Sequence, residues 1–351
     1  MILKSLKLQN FRSYKDTDFE FGKITIIVGP NGIGKTNILE AILLLSTTKS
    51  HRAKKDSEMI AWGQDLARLH VETDVGPLQL VITKTGKLAK ERGVQRRLSE
   101  FLGAMKTILF YPEEIGAIAG SPALRRRILD MVLCQIDRKY THDLLEYQKI
   151  IHQRNELLLA IKMNRAHADE LYFWDRTLAK IGARIEEKRL TSLTFINSKI
   201  GKIYQNFSED KNNLQIKYEP TFPLDGKISQ GFIAALDRAR DREIRFAQTM
   251  IGPHRSDLIF MLDDKPLAQF GSRGELRSAL FAFKVALEEL IVQDSGQKPI
   301  LLLDDVFSEL DAKRRRALSR ALLGLQTIIT TTDIKNLDKE FVEKAKIIEL
   351  K

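Results

Sequence analysis

At 351 residues, with 43% hydrophobic and 29% charged side chains, the chain can bury a sizeable core, and no apolar run reaches the ~20 residues that span a bilayer. A formal net charge of +11 points towards polyanions. The single cysteine, Cys134, sits in an apolar helical pattern, which excludes disulfides and thiolate metal sites by count and fits a buried thiol in a reducing cytoplasm. The first residues, MILKSLKLQNFRSY, alternate polar and apolar and lack a signal-peptide core.

Apolar alternations and runs at residues 3–8, 24–28, 67–72 and 78–82, with turns at Gly22, Gly63, Gly76 and Gly86, predict a strand-rich first segment interrupted by one helix. Strand 24–28 runs into Gly29, Pro30, Asn31, Gly32, Ile33, Gly34, Lys35 and Thr36, and Asn37 continues into an apolar helix. The spacing G-x-x-x-x-G-K-[ST] cradles nucleotide phosphates because glycines let backbone N–H groups turn towards an anion. Lys35 is then placed to reach the β and γ phosphates, and the Thr36 hydroxyl to sit on Mg²⁺. A nucleoside triphosphate is the expected ligand. Downstream, Lys49, His51, Arg52, Lys54 and Lys55 form one basic knot, and Lys84, Lys87, Lys90, Arg92, Arg96 and Arg97 a second. Aromatic residues are scarce in both, so contact with a DNA backbone is expected rather than stacking on bases.

From Ser121 and Pro122, an N-cap and first-turn proline, the period becomes helical. Tyr140, Leu144, Tyr147, Ile151, Leu158 and Ile161 mark one apolar stripe, and Leu171, Trp174, Leu178, Ile181 and Ile185 a second after a polar break at 164–169. The pair predicts an antiparallel hairpin with arms of about 40 residues, or about 60 Å. At 206–229 the pattern fails, which predicts a loop with a short strand. Strands are expected again at 259–262, 300–303, 327–330 and 347–350, and helices at 276–291 and 314–323.

The strand at 300–303 ends in Asp304 and Asp305, where α/β sheets place ligand chemistry. Asp304 is expected to hold Mg²⁺ through water and Asp305 to orient or deprotonate an attacking water; a simple helix N-cap is the plain alternative. Ser272 and Gly274 begin a helix and make either an anion nest or an ordinary cap.

The order of phosphate loop, Ser-x-Gly helix start, Asp-Asp strand end, Ser308-Glu309-Leu310-Asp311 and Thr331-Thr332-Asp333 resembles the ABC-type ATPases. That resemblance implies an α/β head with a P-loop, built from both chain ends, with the helical hairpin inserted. It also implies that Ser272 and Gly274 act in trans on the γ-phosphate of a partner head, and that residues 308–311, including Asp311, lie at the dimer seam. Thr332 falls where many relatives carry a switch histidine and Asp305 where many carry glutamate, which suits slow hydrolysis. No glutamine stands out as the usual γ-phosphate sensor. His254 is expected to be structural, since six histidines without ligand spacing make no metal site.

Further stretches narrow the match. Leu8 to Tyr14 including Arg12, Pro112-Glu113-Glu114-Ile115, the run SPALRRRILD from Ser121, YQKIIHQRNELL from Tyr147, and GPHRSDL from Gly252 together resemble the RecF family along nearly the whole chain. The signature departs from that family's usual form, reading SRGELR with Arg273 and Glu275 where glutamines are usual. The resemblance implies an ATP- and Mg²⁺-dependent homodimer that clamps double-stranded and gapped DNA, with Arg12 in the nucleotide site, RecR and RecO as partners, RecA acting indirectly, weak DNA-stimulated ATP hydrolysis, and a cytoplasmic location away from membranes. The expected divisions are 1–120 and 246–351 for the two halves of the head and 121–245 for the arm. A transporter ATPase subunit or an SMC-like structural ATPase would share the head; the former lacks a long hairpin and basic patches, and the latter needs far more coiled coil.

Overall fold

The computed structural model describes residues 1–208, 212–337 and 339–351; residues 209–211, within the expected loop at 206–229, and the side chains of Ile115, Asn336, Glu340 and Glu309, the last within the expected seam loop, lie outside the described part. In chain order, β1 (Leu3–Phe11) and β2 (Tyr14–Glu20) form a hairpin, and β3 (Ile24–Val28) leads through the glycine loop into α1 (Lys35–Thr47). β4 (Leu66–Thr73), β5 (Leu78–Thr83), β6 (Gly86–Glu91) and β7 (Val94–Arg96) follow, then α2 (Leu98–Phe101), β8 (Thr107–Phe110) and α3 (Ile115–Ala119). The helical block holds α4 (Pro122–Ile136), α5 (Arg138–Lys162), α6 (Leu171–Phe207), the strand β9 (Leu214–Glu219) and α7 (Ile228–Phe246). The last part is β10 (Asp257–Leu262), β11 (Lys265–Pro266), α8 (Leu267–Phe270), α9 (Arg273–Ser295), β12 (Ile300–Asp304), α10 (Ala312–Ala321), β13 (Thr327–Thr331), α11 (Lys339–Glu343) and β14 (Lys346–Glu349).

The central sheet is parallel, in the order β14-β3-β13-β12-β8, so it interleaves strands from both chain ends. Both faces of β3, β13, β12 and β8 are buried, whereas the edge strand β14 is largely exposed. Ile26, Ile329, Leu303 and Phe110 pair across four strands and face one core with α9 and the arm. Ile328, Leu302 and Leu109, one residue earlier, face a second core with α1 and the outer sheet β2-β1-β4-β5-β6-β7. A third sheet, β11-β10-β9, lies against the arm, where α6 packs on β9 and α4 on β10. The fold is thus an α/β P-loop head with an inserted helical hairpin.

The arms differ from expectation. Asp137 adopts an extended backbone and its carboxylate accepts from the Tyr140 N–H at 2.9 Å, so α4 stops and α5 starts afresh. That leaves α5 with 25 residues and α6 with 37, about 37 and 55 Å long at 1.5 Å per residue. The strands β2 and β8 were not anticipated. β2 is a charged edge strand that buries only Phe19, and β8 has only four residues. No helix among the described residues is long and apolar enough to cross a membrane.

Buried guanidinium groups tie the arm together and fasten it to the head. Arg154 on α5 is fully buried; it donates to Asp175 on α6 at 2.8 Å and to the Thr249 hydroxyl at 3.0 Å, and pairs with Glu243 on α7 at 2.7 Å. Arg189 grips Asp130 on α4 at 3.0 and 2.8 Å and donates to the Pro253 carbonyl at 2.6 Å. Arg125 makes a two-point contact with Asp257 at 2.9 and 2.8 Å. Removing one member of such a set strands the other charges away from water. Arg154→Met should therefore lower unfolding stability by about 3–5 kcal/mol in urea titration; a loss below about 1 kcal/mol would show that Asp175 and Glu243 do not depend on it.

Candidate nucleotide site

Because the central sheet is parallel, β3, β13, β12 and β8 end at one edge, and the loop after β3 crosses that edge. Gly34 closes the loop with φ +113°, a conformation open to glycine, and a Cβ there would lie 3.0 Å from both the Ser13 and Tyr14 hydroxyl oxygens. Tyr14 donates its hydroxyl to the Gly34 carbonyl at 3.2 Å, and Asn37 donates to Ser13 at 3.1 Å, so the β1–β2 turn braces the loop. Burial pushes the Tyr14 hydroxyl up to about 12, keeping it a donor. Pro30, Asn31 and Gly32 form the exposed crest, with Gly29 and Ile33 half-buried below it. Lys35 is buried beneath, and its ammonium donates to the carbonyls of Gly29 at 2.7 Å and Pro30 at 2.9 Å.

Asp304 stands at the tip of β12. Its Oδ1 accepts from the Thr36 hydroxyl at 2.9 Å and from the Thr330 hydroxyl at 2.7 Å. Burial raises its carboxyl above the ordinary value, against the lowering effect of those two donors. Asp305 turns into the left-handed region at φ +50°, and its N–H donates to both the carbonyl and the hydroxyl of Thr330 at 3.1 Å. The Asp305 Oδ1 is buried without a hydrogen-bond partner among the described residues. One hydroxyl, one paired carboxylate, one orphaned carboxylate oxygen and a lysine folded over loop carbonyls form a hard-oxygen and cationic set that fits a Mg²⁺–polyphosphate. Thr332 lies exposed just past β13.

Arg12 is committed elsewhere in this structure. Its guanidinium makes two hydrogen bonds, at 2.9 and 2.7 Å, to Glu40 on α1 and a third, at 2.8 Å, to the Glu58 carbonyl. Burial alone would raise the Glu40 carboxyl, but the hydrogen bonds from Arg12 and Ser50 hold it below the usual range.

The helix α9 runs antiparallel to β8: Phe281 stacks with Phe110 near the strand's end, while Gln297, beyond the helix C-terminus, accepts from Lys106 just before the strand. Ser272 and Gly274 therefore sit at the same sheet edge as the glycine loop, on the face opposite α1. Ser272 is exposed and caps α9, accepting from the Glu275 N–H at 3.2 Å while Glu275 accepts from its N–H at 2.7 Å. A Cβ on Gly274 would lie 2.9 Å from the Arg314 Nη2. Arg314 donates to Ser278 at 3.0 Å and pairs with Asp311, whose carboxylate caps α10. The structure thus joins Lys35, Thr36, Asp304 and Asp305 in one group, and Ser272, Gly274 and Asp311 in another.

Several contributors escaped the sequence reading as participants in the site: Ser13, Tyr14, Thr330, Arg314 and Glu113. Glu113 follows β8, whose Phe110 pairs with Leu303, one residue before Asp304, and its charge adds to the rise at Asp304. It is the acidic side chain at a strand tip where no glutamine stands among the described residues. Acids directly after a short apolar run were its only signal. His254 is structural: Tyr147 lies 3.1 Å from its Nδ1 and the Thr249 carbonyl 3.0 Å from its Nε2, and burial drives it down to about 4.

A family described as AAA ATPase domain matches residues 1–219. The chain is 36% identical over 357 residues to the DNA replication and repair protein RecF of Lachnoclostridium phytofermentans, covering 100% of this chain and 98% of the relative. It is likewise 36% identical over 359 residues to that of Bacillus subtilis, covering 98% and 97%. Among solved structures, the recombination mediator protein RecF-ATP in the RecFOR pathway superposes with a TM-score of 0.89 at 31% identity, covering 96% of this chain and 93% of that one. The RecF-ATPrS form gives 0.90, also at 31% identity, with 96% and 94% covered.

The raised carboxyl of Asp304 has a consequence for stability. Its ionisation penalises the folded state, fully so at pH 7 and not at all below the ordinary carboxylate value of 3.8. Asp304→Asn keeps an acceptor for Thr36 and Thr330 and should raise the melting temperature of the ligand-free protein by about 2 °C at pH 7. The gain should fade as the pH drops through about 4. An equal or lower melting temperature at pH 7, followed by calorimetry, contradicts the assignment.

Proposed function

The chain belongs to the RecF family of DNA replication and repair proteins, and from that premise we propose that it is an ATP-dependent homodimer that clamps DNA at junctions of single and double strands. With RecO and RecR it promotes RecA loading at gaps, and slow hydrolysis releases it. One observation carries the reading: the two half-sites lie at one sheet edge on opposite faces, an arrangement that a second copy can complete.

Lys35 exchanges the carbonyls of Gly29 and Pro30 for phosphate oxygens, and the loop N–H groups from Asn31 to Asn37 surround them. Thr36 and Asp304 would hold Mg²⁺, which would supply neutralisation of the phosphate charge. Asp305, with its free oxygen, orients water. Arg12 reaches the nucleotide only by loosening its hold on Glu40. Ser272 and Gly274 cap the γ-phosphate of the facing copy, Asp311 holds their helix through Arg314, and Thr332 sits at the switch position. A short carboxylate at 305 and no imidazole at 332 fit a weak, DNA-stimulated ATPase.

DNA contact draws on the exposed cations Lys54, Lys55, Lys90, Arg92 and Arg97. Three others of the second basic knot are held by local acids: Lys84 by Asp65, Lys87 by Asp56 and Arg96 by Glu91. The outer sheet thus offers fewer free charges than its composition suggests, and binding should weaken steeply with salt.

Sizing with and without ATP and a gapped duplex tests the reading. Wild type should pair with ATP, Lys35→Met should lose nucleotide binding, and Ser272→Arg should bind ATP yet stay monomeric. Turnover should not exceed roughly a few per minute, as in slow NTPase switches. Normal pairing by Ser272→Arg removes the trans role; turnover above several per second without DNA removes the switch.

A further inference from the structure

The stretches that carry the family resemblance outside the phosphate site converge on one cleft of about 610 Å³. SPALRRRILD supplies Arg126, Arg127 and Asp130, YQKIIHQRNELL supplies Tyr147, and GPHRSDL supplies His254. Between them lies an apolar floor of Leu98, Leu102, Met131 and Leu144, with Leu145 partly exposed at the rim. This volume lies within the range of ligand sites, roughly 300–1,000 Å³.

The charge of the cleft is one-sided. Lys49, Arg126 and Arg127 line it, and no ion pair involves any of the three among the described residues. Among the described residues Arg126 and Arg127 donate to carbonyls, those of Ser256 at 2.5 Å and Ser50 at 3.2 Å, and the acids whose charge reaches Arg126, Asp130 and Asp257, are each paired with another arginine. The lining acid, Asp130, is already taken by Arg189 at 3.0 and 2.8 Å and by the Tyr140 hydroxyl at 2.6 Å. His254 is held neutral by burial and adds nothing to the balance.

We propose that this cleft docks a short acidic segment of a partner protein, one that carries large apolar side chains. Charge complementarity to three unpaired cations calls for the acids, and the apolar floor calls for the side chains between them. A DNA backbone would leave that floor empty. Single-stranded bases would need aromatic platforms, whereas Tyr147 is buried and engaged with His254. A free nucleotide would want glycine N–H groups, and no glycine lines the cleft. The cleft shares Lys49 and His51 with the first basic knot, but none of the residues given an ATP role and none of the exposed cations given a DNA role under the proposed function line it.

A library of random twelve-residue peptides displayed on phage, selected on the full-length protein and counter-selected on Lys49→Glu/Arg127→Glu, tests this directly. Both substituted side chains are exposed, so the fold should survive, and unchanged circular dichroism verifies it. The expected winners are rich in Asp and Glu interspersed with Leu or Phe. A fluorescein-labelled winner should lose at least about ten-fold in affinity on the double variant and on Leu145→Glu, read by polarisation. The proposal falls if nothing is enriched, if winners are basic, or if both variants bind the peptide normally. It falls too if equimolar duplex DNA displaces the peptide, which makes the cleft part of a DNA path. Loss of ATP-dependent pairing in the double variant would make it a self-interface and likewise end the proposal.

Discussion

The hydrogen bond from Thr36 to Asp304 joins residues 268 positions apart, and it exists only because the parallel sheet interleaves strands from both chain ends. β3 delivers the glycine loop and β12 delivers the two carboxylates, while β13 lies between them and supplies Thr330, which donates to the Asp304 carboxylate and accepts from the Asp305 N–H. A sheet buried on both faces cannot slip by one residue without exchanging its two apolar cores, so the register that aligns Ile26, Ile329, Leu303 and Phe110 also fixes the site. The chemistry at the edge is thereby set by packing well below it.

The same logic extends to the arm through charge rather than oil. Arg154, Arg189 and Arg125 each bridge segments that no apolar stripe would bring together uniquely. Buried ion sets contribute little net stability, since desolvation offsets attraction, but they penalise every arrangement in which one partner is missing. The arm is tied to the later part of the chain by the Arg125–Asp257 pair and by bonds from Arg154 to Thr249 and from Arg189 to Pro253, and it shares an apolar core with α9. From the nucleotide edge to the arm, α9 and α6 pack against each other in one continuous core.

What the sequence made legible follows from these forces. β3 and β12 are dominated by apolar residues and β13 by isoleucine and threonine because both their faces are covered, and the loop and Asp304 were visible at the ends of β3 and β12. β2 was hidden because an edge strand buries one side chain and otherwise looks like charged loop. The division of the first arm was hidden because Asp137 reads as an ordinary polar residue until its carboxylate is seen to cap α5. Arg12 illustrates the harder case. Nothing in the sequence foretells that it faces Glu40 across 28 positions, since long-range ion pairs leave no periodic trace. Arg314 and Glu113 belong to the same class.

The site also carries local costs that the rest of the fold sustains. Asp305 holds a left-handed backbone, which costs a non-glycine residue on the order of 1–2 kcal/mol, and buries an oxygen with no partner among the described residues. Burial at the Asp304 position raises its carboxyl, against the donors that favour its charge. Lys35 spends its donors on two loop carbonyls that face the cradle. Each feature is unfavourable or merely tolerated in the isolated chain, and under the function proposed above a cation and a polyphosphate would offset the charge and hydrogen-bonding costs, though not the backbone strain at Asp305. Ser272 behaves differently, being fully satisfied by its own capping box. The first group of residues thus carries unmet electrostatic and hydrogen-bonding demands, whereas the second carries none in the isolated chain.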